Sequence, residues 1–220
     1  MASTQRGKLS SVPGVDPIEQ QLRAYYEAEA AAALRPAHGA RREAICQAFA
    51  TRLVDEGCRS VLDLGAGPAS DHAPFVAAAI AYTGVDLAIG NAALAADLGQ
   101  TVVPASLFHL PFASASFAAG WSMSTLQHVP DDRIDAALVE FVRVLEPGAP
   151  VTVGLWGGRD ETVESTWSTS GLALRRHFTL RAHDRIRAIL HRHLDVETDE
   201  TFRVEPSDWE YFVATARVPA

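Results

Sequence analysis

The amino-acid sequence predicts an α/β fold: an open, mostly parallel sheet with helices on both faces and an antiparallel C-terminal hairpin. Three observations predict it. Between residues 60 and 156, short apolar runs alternate with helix-length amphipathic stretches, the pattern of strand–helix–strand units. The first run, Val61-Leu62-Asp63-Leu64, breaks at once into Gly65-Ala66-Gly67-Pro68. A buried parallel strand handing the chain to a helix reads this way. Residues 195–204 and 208–217 both alternate with a period of two on either side of Pro206, which is a hairpin pattern.

The elements follow in order. Residues 1–15 lack the apolar core of a signal peptide and read as a mobile leader. Asp16-Pro17 is a helix start, a cap followed by proline in the first turn, and this helix runs to just before Pro36. A second helix over 40–56 ends at Gly57. Strand 60–64 leads to a helix from about Ser70, strand 81–86 to a helix over 88–98, and strand 101–105 to a loop through Leu110–Ser116. Strand 117–123 comes next, then a helix over 131–145 stopped by Pro147-Gly148, then strand 150–156. There is no internal repeat, and residues 16–220 read as one domain.

Composition narrows the function. With 220 residues, 48% hydrophobic and 21% charged, the chain suits a globular domain with a sizeable core. A formal net charge of −8 argues against a protein that grips phosphate backbones, so no nucleic-acid partner is expected. The most apolar run, residues 75–85, is too short and broken to span a bilayer, so no membrane partner is expected either. Cys46 and Cys58 show no metal spacing and fit a reducing cytoplasm. The sequence names no oligomeric partner.

The glycine turn admits two ligands. A dinucleotide fingerprint, G-x-G-x-x-G, is incomplete here because the last glycine position is Ser70. Asp63 argues further against it, since a carboxylate at the mouth of the turn repels a diphosphate and attracts a cation. S-adenosyl-L-methionine carries a sulfonium and an ammonium and no phosphate. Asp86, 23 residues after Asp63, ends the second strand. There an acid accepts hydrogen bonds from a ribose diol, in NAD and S-adenosylmethionine sites alike.

The segments VLDLGAGPA, GVDL, LPFASASFAAGWSMSTLQHVPD and VLEPGAPVTVGLW together resemble the class I S-adenosylmethionine-dependent methyltransferases, with their Rossmann-like sheet. The small single-domain kind, which includes the ubiquinone and menaquinone methyltransferases, is the most similar. The resemblance runs from about residue 55 to 156. It implies S-adenosyl-L-methionine as cofactor, with its methionine end against Gly65, Ala66 and Gly67, its ribose on Asp86, and Leu87 beside the adenine. Ser106-Leu107 stands where the family usually has Asp-Ala and would face the adenine edge. Ser122 would lie near the methionine moiety, and Ala69 replaces a third glycine. The resemblance makes residues 16–56 a helical lid, with Tyr25 or Tyr26 over the cofactor or packed into the core. It makes 157–193 a substrate cap, where Trp156 and Trp167 offer apolar area. The basic run 174–193 is either a solvated helix face or a site drawing in an acidic small molecule.

Methyl transfer from a sulfonium is an in-line displacement on an activated donor, so positioning in a dry site is the main requirement. A base is needed only for an acceptor that arrives protonated. Of the eight histidines, His128 sits at the carboxyl edge of the sheet, either as that base or substrate contact, or as a pin for its loop. His72 falls in the first helical turn after the glycines, and His109 in a solvated loop. The expected activity is methyl transfer to a small-molecule acceptor. An NAD(P)-dependent oxidoreductase on a similar sheet and an inactive cofactor-binding regulatory protein are the alternatives.

Overall fold

A computed structural model describes residues 16–32, 39–166, 172–204 and 208–220. The leader 1–15, Pro36, Trp167 and Pro206 lie outside the described residues. Helix α1 (Pro17–Ala31) begins at an extended Asp16 whose carboxylate accepts the Ile18 amide at 2.8 Å. Pro17 at the first position has no donor to leave unsatisfied. Helix α2 (Ala40–Asp55) is followed by Gly57 at φ +74°, a left-handed turn that suits glycine.

The alternation then runs as the periodicity predicts: β1 (Ser60–Leu64), α3 (His72–Ala77), β2 (Ala81–Asp86), α4 (Ile89–Asp97), β3 (Thr101–Pro104) and β4 (Gly120–Met123). A single 3-10 turn (Leu126–His128), α5 (Ile134–Val144) and β5 (Pro150–Gly157) follow. The chain continues through the hairpin β6 (Glu161–Ser165) and β7 (Arg176–Leu180), then α6 (His183–Leu190), β8 (Asp195–Arg203) and β9 (Glu210–Arg217).

Seven strands form one sheet in the order β3-β2-β1-β4-β5-β9-β8. The first five are parallel, and β9 runs antiparallel between β5 and β8. From β1 the chain winds outward to β2 and β3, then returns to start β4 on the other side. The order therefore reverses between β1 and β4, and a crevice opens at their carboxyl ends. Val61–Leu64 are all buried, as a central strand covered on both faces requires. On one face Leu62, Leu64 and Val153 pack against Phe141 of α5 and Ile186 of α6. On the other, Val61, Tyr82 and Trp121 pack with Phe49 of α2 and Phe75 of α3.

Three local expectations are corrected. The helix after the glycine turn starts at His72 rather than near Ser70, because Ala69 at φ +61° interrupts helical geometry. The fourth strand starts at Gly120 rather than 117: pairing with β1 begins opposite Leu62, and Phe117 makes only a lone bridge to Leu145. The basic run 174–193 is not one solvated helix. It contributes the buried strand β7 and then α6, divided by Arg181, which is 1% exposed. Arg181 donates to the carbonyls of Val129 at 2.6 Å and Leu126 at 3.3 Å and to Asp131 at 2.9 Å. Its charge thus anchors the loop after β4 instead of facing water.

Candidate active site

The turn after β1 is built around Gly65, at φ +77°, and Gly67, at φ +56°. A Cβ on Gly65 would stand 2.1 Å from the Thr125 hydroxyl oxygen, so the loop after β4 closes directly on this glycine. From the adjoining strand end, the Asp86 carboxylate reaches across and fixes the turn. Its Oδ2 accepts the Gly67 amide at 2.9 Å, and its Oδ1 accepts the Ala88 amide and the Asn91 side chain, each at 2.9 Å. A carboxylate offers about four acceptor positions, so one on Oδ2 remains for a further donor.

Asp63 is 2% exposed and accepts the Tyr82 hydroxyl at 2.6 Å across the β1–β2 pair. Burial, with Asp63 beside it, pushes the Tyr82 hydroxyl well above the usual phenol range, so it stays a donor. A second buried carboxylate, Asp71, receives the Arg42 guanidinium at 2.7 Å and the Trp121 indole at 2.8 Å. Burial opposes the Arg42 charge, but Asp71, Tyr211 and Asp63 hold its pKa above the ordinary value. This network ties α2 to the carboxyl end of β4, where Ser124 (φ +61°) meets the Tyr211 hydroxyl at 2.8 Å.

A cavity, partly open to solvent, occupies the crevice at the switch point, the place where open α/β sheets hold their ligands. Asp86, Leu87 and Leu107 line one end, and His128, Val129 and Pro130 the other, with Gly65, Ser124 and Thr125 also in its wall. Helix α1 forms the roof with Ile18, Leu22 and Tyr26, spaced four residues apart on one face. The roof is fastened by carboxylates. Glu19 accepts the Ser106 hydroxyl at 2.5 Å, Glu27 accepts the Ile89 and Gly90 amides at 2.6 and 2.9 Å, and Asp16 pairs with Arg133.

His128 is 7% exposed and oriented at both ring nitrogens. Nδ1 lies 2.7 Å from the His177 carbonyl oxygen, which can only accept, so Nδ1 carries the proton. Nε2 is then the basic nitrogen and accepts the Tyr26 hydroxyl at 2.8 Å. The Tyr26 oxygen in turn accepts from Arg176 Nη1 at 3.2 Å.

Of the residues the sequence singles out, Gly65, Asp86, Leu87, Leu107 and His128 line the cavity. Asp63, Ala66, Gly67, Ser106, Ser122 and Tyr25 stand outside its lining. Ser122 is fully buried and donates to the Leu64 carbonyl at 3.1 Å. Tyr25 is fully buried, its hydroxyl 3.3 Å from Glu29. The tyrosine at the cavity is its neighbour Tyr26. His72 bonds the Ala69 carbonyl at 2.7 Å through Nδ1, and His109 is exposed. Glu19, Phe108 and Thr125 are cavity residues that the sequence reading did not single out. The four-residue spacing Ile18-Leu22-Tyr26 carried a signal for the roof, whereas nothing local marked Thr125.

Residues 62–153 match the model of a methyltransferase domain family. An uncharacterized methyltransferase of Mycobacterium sp. strain JLS is 37% identical over 113 residues, which cover 47% of this chain. The chain spans less than half of that relative, 44% of its length. Among solved structures, the Burkholderia thailandensis 1,6-didemethyltoxoflavin-N1-methyltransferase, bound to 1,6-didemethyltoxoflavin and S-adenosylhomocysteine, superposes with a TM-score of 0.67 at 20% identity. The match covers 96% of this chain and 94% of that one. The N-methyltransferase NodS of Bradyrhizobium japonicum WM9, in complex with S-adenosylhomocysteine, gives 0.63 at 15% identity over 89% of this chain and 99% of that one. The (4+2)-cyclase SpnF gives 0.68 at 20% identity, covering 96% and 99%. The observed strand order and antiparallel terminal pair are the fold these structures share with the chain.

Proposed function

We propose that this chain is a class I S-adenosylmethionine-dependent methyltransferase, a reading supported by the methyltransferase-domain match over residues 62–153 and by the shared fold, and that it transfers a methyl group from S-adenosyl-L-methionine to a small-molecule acceptor. The observation that carries this reading is one continuous cavity. It runs from the Asp86–Leu87 strand end, past Gly65, to the imidazole of His128.

The residues present fit the cofactor. The remaining acceptor position on Asp86 Oδ2 suits a ribose hydroxyl, and Leu87 and Leu107 offer apolar surface to an adenine. The glycine turn leaves backbone free to approach the methionine end, with Ala66 and Gly67 in the same turn and Ser122 in the strand beneath it. When bound, the cofactor supplies a methyl group already activated on a sulfonium. The chain's own part is to hold the acceptor in line, to keep water out beneath α1, and to take a proton where the acceptor carries one. We assign that last role to His128, a cavity residue whose ring is oriented by the His177 carbonyl at Nδ1 and by the Tyr26 hydroxyl at Nε2.

Calorimetric titration tests the reading. S-adenosylmethionine and S-adenosylhomocysteine are expected to bind, and NAD and NADP not. A dinucleotide binding more tightly than S-adenosylhomocysteine would overturn it. Asp86→Ala removes one charge-assisted bond to the ligand and three that hold the turn. Loss of the ligand bond alone is worth about 1.5–3 kcal/mol, so affinity should fall more than tenfold.

A second reading has one specific observation behind it. The solved structure of SpnF, similar in fold over nearly the whole chain, is named for cyclisation and not for methyl transfer. A protein that binds the cofactor without transferring the methyl would keep S-adenosylhomocysteine affinity and methylate no member of a broad acceptor panel.

A further inference from the structure

We propose that Glu19, on the roof helix α1, reads the base of the cofactor by accepting the 6-amino group of its adenine. This rests on the S-adenosylmethionine reading above and deepens it, because it places base recognition on the roof rather than on the sheet. Three carboxylates line the cavity, and two of them are committed to the protein. Asp16 accepts the Ile18 amide and pairs with Arg133. Asp86 accepts the Gly67 and Ala88 amides and the Asn91 side chain, which leaves it one position for a ribose hydroxyl. Glu19 differs from both. Its Oε1 receives the Ser106 hydroxyl at 2.5 Å, while its Oε2 has no partner among the described residues.

The ribose decides what that oxygen meets. A base is bonded directly to its sugar, so a ribose held on Asp86 keeps the base beside the Asp86–Leu87 strand end. Leu87, Leu107 and Phe108 line the cavity there, beneath Ile18 and Leu22 of the roof. Apolar walls suit the two faces of a purine, and its polar edge must then find hydrogen-bond partners of its own. Glu19 stands in the same wall, half-buried in the first turn of α1.

The loop after β3 holds this carboxylate and the apolar surface together. Ser106 immediately precedes Leu107, gives its proton to Glu19, and accepts the Phe108 amide at 3.2 Å. With its proton spent, the Ser106 hydroxyl orients Glu19 and has none to offer the base. A carboxylate accepts and cannot donate, so the edge it suits is one that presents N–H. Adenine presents such an edge at its 6-amino group. A purine without that group would leave Glu19 Oε2 covered by the base and unpaired, which is the costly arrangement.

The test is a cycle of calorimetric titrations on the full chain. The two probes are S-adenosylhomocysteine and its analogue with hydrogen in place of the 6-amino group. Wild type is expected to bind S-adenosylhomocysteine at least about tenfold more tightly than the analogue, the usual worth of a bond to a charged group. Glu19→Ala should bring the two probes within about threefold of each other, chiefly by weakening S-adenosylhomocysteine. A Glu19 that only fastens the roof would weaken both probes equally and leave their ratio unchanged. Should Glu19→Ala fail to fold, Glu19→Gln keeps the shape of the side chain and should narrow the ratio by at least about threefold. A wild-type ratio below about tenfold, or one that survives the substitution, overturns the assignment. Failure of wild type to bind S-adenosylhomocysteine overturns instead the reading beneath it.

Discussion

Gly65 sits where a side chain has no room. Its φ of +77° disfavours any L-residue, and a Cβ there would press on three atoms of Thr125 at 2.1–2.7 Å. The strained backbone and the clash act together, so Gly65→Ala should lower stability by about 2–4 kcal/mol in urea unfolding. Combining it with Thr125→Gly should recover the steric part and leave the backbone part, once the cost of Thr125→Gly alone is subtracted. A single-variant loss within about 0.5 kcal/mol would mean that the turn does not close on Thr125. Asp86 is the other residue whose surroundings change its meaning. Its carboxylate is first a brace for the turn and only with its last acceptor position a ligand for a sugar.

Helix α1 earns its position through side chains that are polar in the sequence and structural in the fold. Helix α4 has Ala88 at its N-cap and no side-chain cap of its own. Glu27 of α1 provides that cap from 62 residues away, accepting the amides of Ile89 and Gly90 where the helix dipole is positive. Gly90 lets the helices approach: a Cβ there would lie 2.8 Å from Glu27 Oε2 and 3.0 Å from Ala30 Cβ. Glu27→Ala should therefore cost about 1 kcal/mol, in the range of a lost cap, and speed amide exchange at Ile89, Gly90 and along α1 above all. A uniform rise across the molecule would show that Glu27 fastens nothing in particular.

At the scale of the molecule, the terminal hairpin is not an appendage. Strand β9 pairs with β5 over eight residues, from Pro150–Arg217 to Gly157–Glu210, and β8 is the outer strand. Phe212, Val213, Ala214 and Ala216 are buried on the two faces of the sheet. Deleting residues 209–220 would expose the β5 edge and remove part of both cores. The shortened chain should show no cooperative thermal transition, measured by circular dichroism, and should aggregate on expression. A truncated protein that melts cooperatively would show that β5 can serve as an edge. Among the described residues no helix is long and apolar enough to cross a membrane.

Local signals in the sequence determined the α/β alternation, the glycine turn after the first strand, the acid that ends the second, and the terminal hairpin. Each is written within a few neighbouring residues: a period of two or of nearly four, a cap with its proline, a glycine where φ must be positive. The basic run 174–193 misled because charge was read as exposure, while Arg181 is buried against three carbonyls and Asp131. Only the tertiary structure decided the partners of the site's polar groups. Asp63 meets Tyr82 diagonally across the parallel pair β1–β2, in which Asp63 stands opposite Gly84 and Tyr82 opposite Val61. Tyr26 meets His128 across 102 residues because α1 lies over the switch point and β7 turns the imidazole. A side chain's proton can be assigned only when the group that accepts it is in place, and packing, rather than sequence neighbourhood, brings that group there.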